Sequence, residues 1–109
     1  MGKIKSIVEL IYNDKNLIPV IVQDNDTSEV LMMAWMDKYS VHQSIEKGRP
    51  MFWSRSRRCY WIKGETSGNI QELISLTADC DCDCLLAKVK QRGVACHTGS
   101  RSCFFNEIN

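Results

Sequence analysis

Residues 79–84 read Asp-Cys-Asp-Cys-Asp-Cys, and this strict alternation between two apolar stretches constrains the chain more than any other feature. An extended backbone sends successive side chains to opposite faces. A strand here would line Asp79, Asp81 and Asp83 along one side and Cys80, Cys82 and Cys84 along the other. Such a strand offers hard carboxylate oxygens to Mg²⁺ and soft thiolates to Zn²⁺. A straight strand would separate Asp79 from Asp83 by about 13 Å, too far to share one ion. Either the segment bends, or one carboxylate acts through water or a substrate phosphate. The competing reading is a solvated acidic turn whose cysteines pack as small hydrophobes.

Six cysteines occur in 109 residues, and Cys59, Cys80, Cys82, Cys84, Cys96 and Cys103 all fall in the second half. A disulfide framework needs an oxidising compartment, and residues 1–10 carry no apolar stretch of signal-peptide length. Reduced thiols and a cytoplasmic setting are therefore expected. No apolar run approaches the roughly eighteen residues that span a bilayer. With 44% hydrophobic and 25% charged residues, the composition is that of one ordinary globular domain over residues 1–109. A domain this small buries roughly two-thirds of its unfolded surface, so association with a partner would help its core. Fourteen Lys and Arg against 13 Asp and Glu leave a formal charge of +1, which argues against a protein that wraps nucleic acid electrostatically.

Local patterning predicts an α+β fold, rich in strands with few short helices. Apolar positions 7, 8, 10 and 11 suit a short helix over residues 6–12. The β-branched run 18–22 and the apolar stretch 30–36 read as a hairpin around the polar cluster 24–28. Asp37 caps a helix running to about Lys47, with Gly48 as its stop and Pro50 just beyond. Residues 51–56 and 60–62 read as strands, 64–69 as a loop, and 70–78 and 85–89 as strands. The tail over 93–105 reads as irregular.

Cys96 and Cys103 form a second thiol cluster with Cys-x6-Cys spacing, and no Cys-x2-Cys knuckle of a structural zinc module occurs in the chain. Joined by one thiol of the 79–84 segment, they make three ligands with a fourth position for water, the arrangement of catalytic zinc. A closed four-ligand site using another cysteine or His97 is equally compatible with the spacing. His97, beside a candidate ligand, is a candidate general acid/base. His42 lies within the predicted helix and reads as a surface residue.

Arg55, Arg57, Arg58 and Lys63 surround Phe52, Trp53, Tyr60 and Trp61 and run into Gly64-Glu65-Thr66-Ser67-Gly68. Guanidinium forks, hydroxyls and free amides bind phosphate, and a Trp stacks on a base. The low net charge favours a phosphorylated small molecule over a nucleic-acid polymer. A zinc-stabilised nucleotide- or RNA-binding module is the alternative reading of the same parts.

The chain resembles the phosphoribosyl-AMP cyclohydrolases of histidine biosynthesis. The resemblance runs through Ile18-Pro19-Val20-Ile21-Val22-Gln23-Asp24, Phe52-Trp53-Ser54-Arg55-Ser56-Arg57, Trp61-Ile62-Lys63-Gly64-Glu65-Thr66-Ser67-Gly68-Asn69, Asp79-Cys80-Asp81-x-Asp83 and Gly93-Val94-Ala95-Cys96-His97-Thr98-Gly99-Ser100-Arg101-Ser102-Cys103. It implies hydrolytic opening of the adenine ring of N1-(5-phosphoribosyl)-AMP between N1 and C6, giving a formimino-aminoimidazole carboxamide ribonucleotide. It also implies an intertwined homodimer with about one zinc per subunit. Cys80 would come from one subunit and Cys96 and Cys103 from the other, while Asp79, Asp81 and Asp83 would hold Mg²⁺. His97 would move a proton, and Trp53, Arg55, Lys63, Thr66, Ser67 and Arg101 are the expected substrate contacts. Cys59, Cys82 and Cys84 stand outside the family pattern.

Overall fold

The computed structural model describes residues 9–109. Strand β1 (Ile18–Asp24) turns every second side chain inward, so that Ile18, Val20 and Val22 are fully buried. It pairs antiparallel with β2 (Val30–Met36), with a bulge between Val22 and Gln23. The intervening turn is held by Asp24, whose carboxylate accepts from both the amide and the hydroxyl of Thr27 at 2.9 Å. Pro19, which has no N–H, sits where β1 has only β2 beside it, because pairing with the last strand starts at Val20.

Helix α1 (Lys38–Lys47) follows directly. Asp37 accepts from the Ser40 amide at 2.8 Å, and the Ser40 hydroxyl accepts from the Asp37 amide, which closes a reciprocal capping box. Gly48 ends the helix in the left-handed region, φ 69°. A second hairpin, β3 (Met51–Ser54) and β4 (Cys59–Ile62), comes next and packs beside β2 and α1. The chain finishes with β5 (Gln71–Ala78) and β6 (Leu85–Gln91), paired antiparallel.

Strand β6 inserts beside β1 in parallel, giving a four-stranded sheet of order β2-β1-β6-β5 with the β3-β4 hairpin as a separate two-stranded sheet. The core lies where this sheet meets α1 and β3, around Leu31, Met36, Val41, Phe52 and Val89. The fold is thus α+β, strand-rich, with one helix among the described residues. The expected N-terminal helix lies partly outside the described residues. Its described end, residues 10–12, is irregular, and the Ile11 amide donates to the Cys82 carbonyl at 2.7 Å. No described helix is long and apolar enough to cross a membrane.

The sheet also separates the two cysteine clusters. Leu85 opens β6 beside Val20, and Val89 lies beside Asp24. Residues 79–84 therefore sit at the Ile18 end of the sheet, and residues 92–103 leave from the Asp24 end. The length of β6 between them is about 20 Å.

Candidate functional site

Residues 79–84 are not a strand. Ala78 pairs with Leu85, so six residues must reverse the chain between β5 and β6, and an extended course is geometrically closed to them. The Asp79 amide donates to the Cys84 carbonyl at 2.9 Å, the Cys82 amide to the Asp79 carbonyl at 3.0 Å, and Cys82 takes the left-handed region at φ 59°. Of the two routes left open by the sequence, the bend is the one taken. The carboxylates gather instead of lining one face. Desolvation and the neighbouring charges of Asp79 and Asp81 push the Asp83 carboxyl above its ordinary range. Desolvation, with Asp79 and Asp83 close by, likewise raises the Cys84 thiol. Cys80 is exposed on this turn.

At the other end of the sheet, residues 95–101 form a closed loop. The Ala95 amide donates to Arg101, the Cys96 amide to Ser100, and the Gly99 amide back to Cys96. The loop is pinned to the start of β2 by the Cys103 amide on the Leu31 carbonyl at 2.7 Å and the Ser102 hydroxyl on Val30 at 2.7 Å. This brings Cys96 and Cys103 together. The Thr98 hydroxyl donates to Cys96 Sγ at 3.0 Å, and with the Thr98 amide it holds that thiol below its ordinary range, assisted by Cys103 and the Lys63 ammonium. Burial, together with the Cys96 sulfur, raises Cys103. The pair therefore ionises first at Cys96. His97 is exposed between Cys96 and Thr98. All six cysteines are free.

Asn69 joins this loop to residues 64–68. Its side-chain oxygen accepts from the Val94 amide at 3.4 Å, and its own amide donates to the Ser67 hydroxyl at 3.2 Å. Two glycines make the approach possible. A Cβ on Gly64 would lie 2.5 Å from the Asn69 carbonyl carbon, and one on Gly93 2.1 Å from Asn69 Oδ1. Both glycines also occupy the left-handed region, φ 83° and 82°. Lys63, Thr66 and Ser67 are thus carried by a loop fastened to the irregular segment that leads from β6 into Cys96.

Trp53 and Arg55 lie on the β3-β4 hairpin and line a cleft of about 520 Å³ with Trp35 and Trp61. The Arg55 guanidinium stacks over the Trp35 ring, 4.7 Å from its centroid. Tyr60 packs edge-on against Trp53 and donates its hydroxyl to Asp37; desolvation, together with that carboxylate, pushes Tyr60 up to about 12. Arg101 is engaged differently from the other expected contacts. Its guanidinium pairs with Glu29 at 2.7 Å and Asp24 at 3.3 Å, which braces the 95–101 loop against the β1-β2 turn.

Sequence reasoning did not single out Trp35, Thr98 or Asn69. Thr98, two residues beyond a candidate ligand, and Asn69, directly after Gly68, had local signals. The Trp35–Arg55 contact joins positions on β2 and the β3-β4 hairpin and had none.

Residues 32–105 match the family model described as Phosphoribosyl-AMP cyclohydrolase. The chain belongs to the phosphoribosyl-AMP cyclohydrolase family. It is similar to the Phosphoribosyl-AMP cyclohydrolase of Roseobacter denitrificans, 54% identical over 99 residues that span 91% of this chain and 77% of that protein. Its similarity to the Phosphoribosyl-AMP cyclohydrolase of a Ruegeria species is 56% identity over 97 residues, 89% of this chain and 75% of the relative. Membership makes the chain an enzyme of the cyclohydrolase class. The matched region of the phosphoribosyl-AMP cyclohydrolase model contains the 79–84 turn, the Asn69 loop and the 95–103 loop. Among the described residues of one chain, no three His, Cys, Asp or Glu side chains converge to hold a metal ion. Cys96 and Cys103 meet, whereas Cys80 stands at the far end of β6.

Proposed function

We propose that the protein opens the adenine ring of N1-(5-phosphoribosyl)-AMP by hydrolysis between N1 and C6, as a step of histidine biosynthesis, using zinc held between two copies of the chain. The observation that carries this reading is the family match over residues 32–105, which contains every Asp and Cys of the candidate metal site. Reduced thiols at such a site fit a cytoplasmic enzyme.

The donor set fits zinc on one condition. Cys96 and Cys103 offer adjacent sulfurs, one of them held toward thiolate, but one chain brings only these two together. A third sulfur comes from the exposed Cys80 of a second copy, which a two-fold arrangement of chains supplies twice over. A homodimer is therefore part of the function. The 79–84 carboxylates fit Mg²⁺ through charge: Asp83 already feels the repulsion of Asp79 and Asp81, and a Mg²⁺ ion held by Asp79, Asp81 and Asp83 would relieve it and supply positive charge for a substrate phosphate.

Zinc, when bound, supplies Lewis acidity that activates water near neutral pH. The chain's own side chains do the rest. His97, exposed beside Cys96, takes and returns a proton at its imidazole. Lys63, Thr66 and Ser67, on the loop fastened by Asn69, donate to a phosphate of the substrate, and Arg55 and Trp53 hold its other parts in the neighbouring cleft. Arg101 fixes the Cys96 loop through Glu29 and Asp24, and so acts on the substrate through position.

Purified protein should contain about one zinc per chain and convert the substrate with a change in ultraviolet absorbance. Cys80→Ser and Cys96→Ser should each be inactive alone and regain partial activity when mixed, because one of the two sites in a mixed dimer keeps all three thiols. Confirmed subunit exchange without recovery would place each site within one chain and overturn the shared arrangement.

A further inference from the structure

Lys15, Arg55 and Arg58 meet around a cleft of about 510 Å³, with Trp53, Asn16 and Asp37 in its wall. None of the three cations makes an ion pair among the described residues, whose only salt bridges are those of Arg101. The wall holds one carboxylate against these three cations, and Asp37 is oriented by the Ser40 amide on Oδ1 and the Tyr60 hydroxyl on Oδ2. The cleft is therefore a concave surface with an unbalanced excess of positive charge.

Its cations are carried on ordered turns. Arg55 and Arg58 flank the turn that reverses β3 into β4, closed by the Arg58 amide on the Ser54 carbonyl at 2.8 Å with Arg58 at φ 55°. Arg55 is held further by its stacking on Trp35. Opposite them, Asn13 Oδ1 accepts from the Lys15 amide at 2.8 Å and the Leu17 amide at 3.0 Å, which sets the turn that carries Lys15. Groups positioned beforehand lose little freedom on binding an anion. Trp53 and Arg55 also line the cleft that reaches Trp35 and Trp61, so the two clefts share a wall.

We propose that Lys15, Arg55 and Arg58 form a phosphate-monoester subsite. It rests on the reaction proposed above, whose substrate carries a phosphate at each end: one is received by the loop with Lys63, Thr66 and Ser67, the other by this cleft. The subsite adds Lys15, which lies outside the region matched by the family model, and Arg58 to the binding residues.

The test compares the full-length wild-type protein with a Lys15→Gln/Arg58→Gln double variant at two exposed positions. AMP and ribose 5-phosphate, the two halves of the substrate, and inorganic phosphate are titrated while tryptophan fluorescence is followed, since Trp53 lines the cleft. A charge-assisted contact of about 1.4 kcal/mol is tenfold in affinity, so the double variant should weaken one half-substrate, and the inorganic-phosphate binding that Trp53 reports, by about a hundredfold, leaving any phosphate binding at the Lys63 loop in place. The other half-substrate should shift by less than about twofold, and KM for the full substrate should rise far more than kcat falls. Lys90→Gln, an exposed position on β6, should leave all three titrations unaltered. Equal binding of both halves by wild type and double variant, or no saturable phosphate binding by the wild type, overturns the subsite. An unchanged KM in an active double variant overturns it while the reaction stands. Phosphate binding that depends on Lys15 and Arg58 in a protein without turnover supports the subsite and refutes the reaction.

Discussion

Replacing Gly93 by Ala should cost far more than one added methyl group suggests. Gly93 has φ 82°, and an L side chain in the left-handed region costs about 1 kcal/mol. Its new Cβ would stand 2.1 Å from Asn69 Oδ1 and 3.0 Å from Asn69 Cγ, so the amide must swing away. That movement breaks the 3.4 Å bond from the Val94 amide and strands a partly buried donor, about another 1–2 kcal/mol. The total is about 2–3 kcal/mol, which for a domain near 100 residues lowers the melting temperature by about 10–15 °C. Circular-dichroism melts of wild type, Gly93→Ala, Asn69→Ala and the double variant form a cycle. With Asn69 truncated nothing remains to be displaced, and Gly93→Ala should cost only its backbone strain, about 1 kcal/mol. If the two substitutions add with a coupling below about 0.5 kcal/mol, Asn69 does not fill the space over Gly93 and the fastening of the two loops is refuted. Asn69→Ala should also raise KM, because Thr66 and Ser67 are then no longer held beside the Cys96 loop.

Asp37→Ala removes the helix cap and should destabilise the fold by about 1 kcal/mol in urea melts, while the Tyr60 phenol, freed of its carboxylate neighbour, should titrate below about 12 in an ultraviolet pH titration. Tyr60 has a folded-state value above its unfolded one, so its contribution is complete below the ordinary phenol range and is lost as pH rises through about 12. Urea midpoints between pH 9 and 11 should fall less steeply in Tyr60→Phe than in wild type, and parallel slopes would contradict this. For Asp24, burial pushes the carboxyl up, but the Thr27 hydrogen bonds, the Gln91 amide and Arg101 outweigh it and the value is lowered. Its contribution is present above the ordinary carboxylate range and lost as pH falls through the lowered value, so Asp24→Asn should flatten the acid limb of the stability curve. Phe52→Ala, at a fully buried position, should cost about 3–5 kcal/mol by chemical denaturation.

Elements whose causes are local were legible in the sequence. The 18–22 run, the 30–36 stretch and the helix from Asp37 to Gly48 each carry their own pattern, cap or stop, and their observed bounds agree to within two residues. For residues 79–84 the sequence left an extended course and a bend both open, because alternation is a local signal, whereas the reversal is imposed by Ala78 meeting Leu85 across the sheet. The ion pairs of Arg101 had no signal in the sequence. Its partners Glu29 and Asp24 are 72 and 77 positions away and meet it only through the fold. Lys15 was overlooked for the same reason, since its neighbours in space, Arg55 and Arg58, lie on another hairpin. Cys96 and Cys103, seven positions apart, were legible as a pair because one short loop must carry both.

The parallel contact of β1 with β6 sets the order in which this chain can become a protein. Val20 meets Leu85, 65 residues later, so the β1-β2 hairpin, the helix and the β3-β4 hairpin are all synthesised before the second neighbour of β1 exists. Until then the inner edge of β1 stays unpaired, an invitation to pair with another chain that native sheets avoid. The turn bearing Cys80 immediately precedes the strand that ends this exposure, and the loop bearing Cys96 follows it. Closing the sheet and presenting the thiols thus draw on the same long-range contact, and a loop of 65 residues must close before that contact is rewarded, which slows folding.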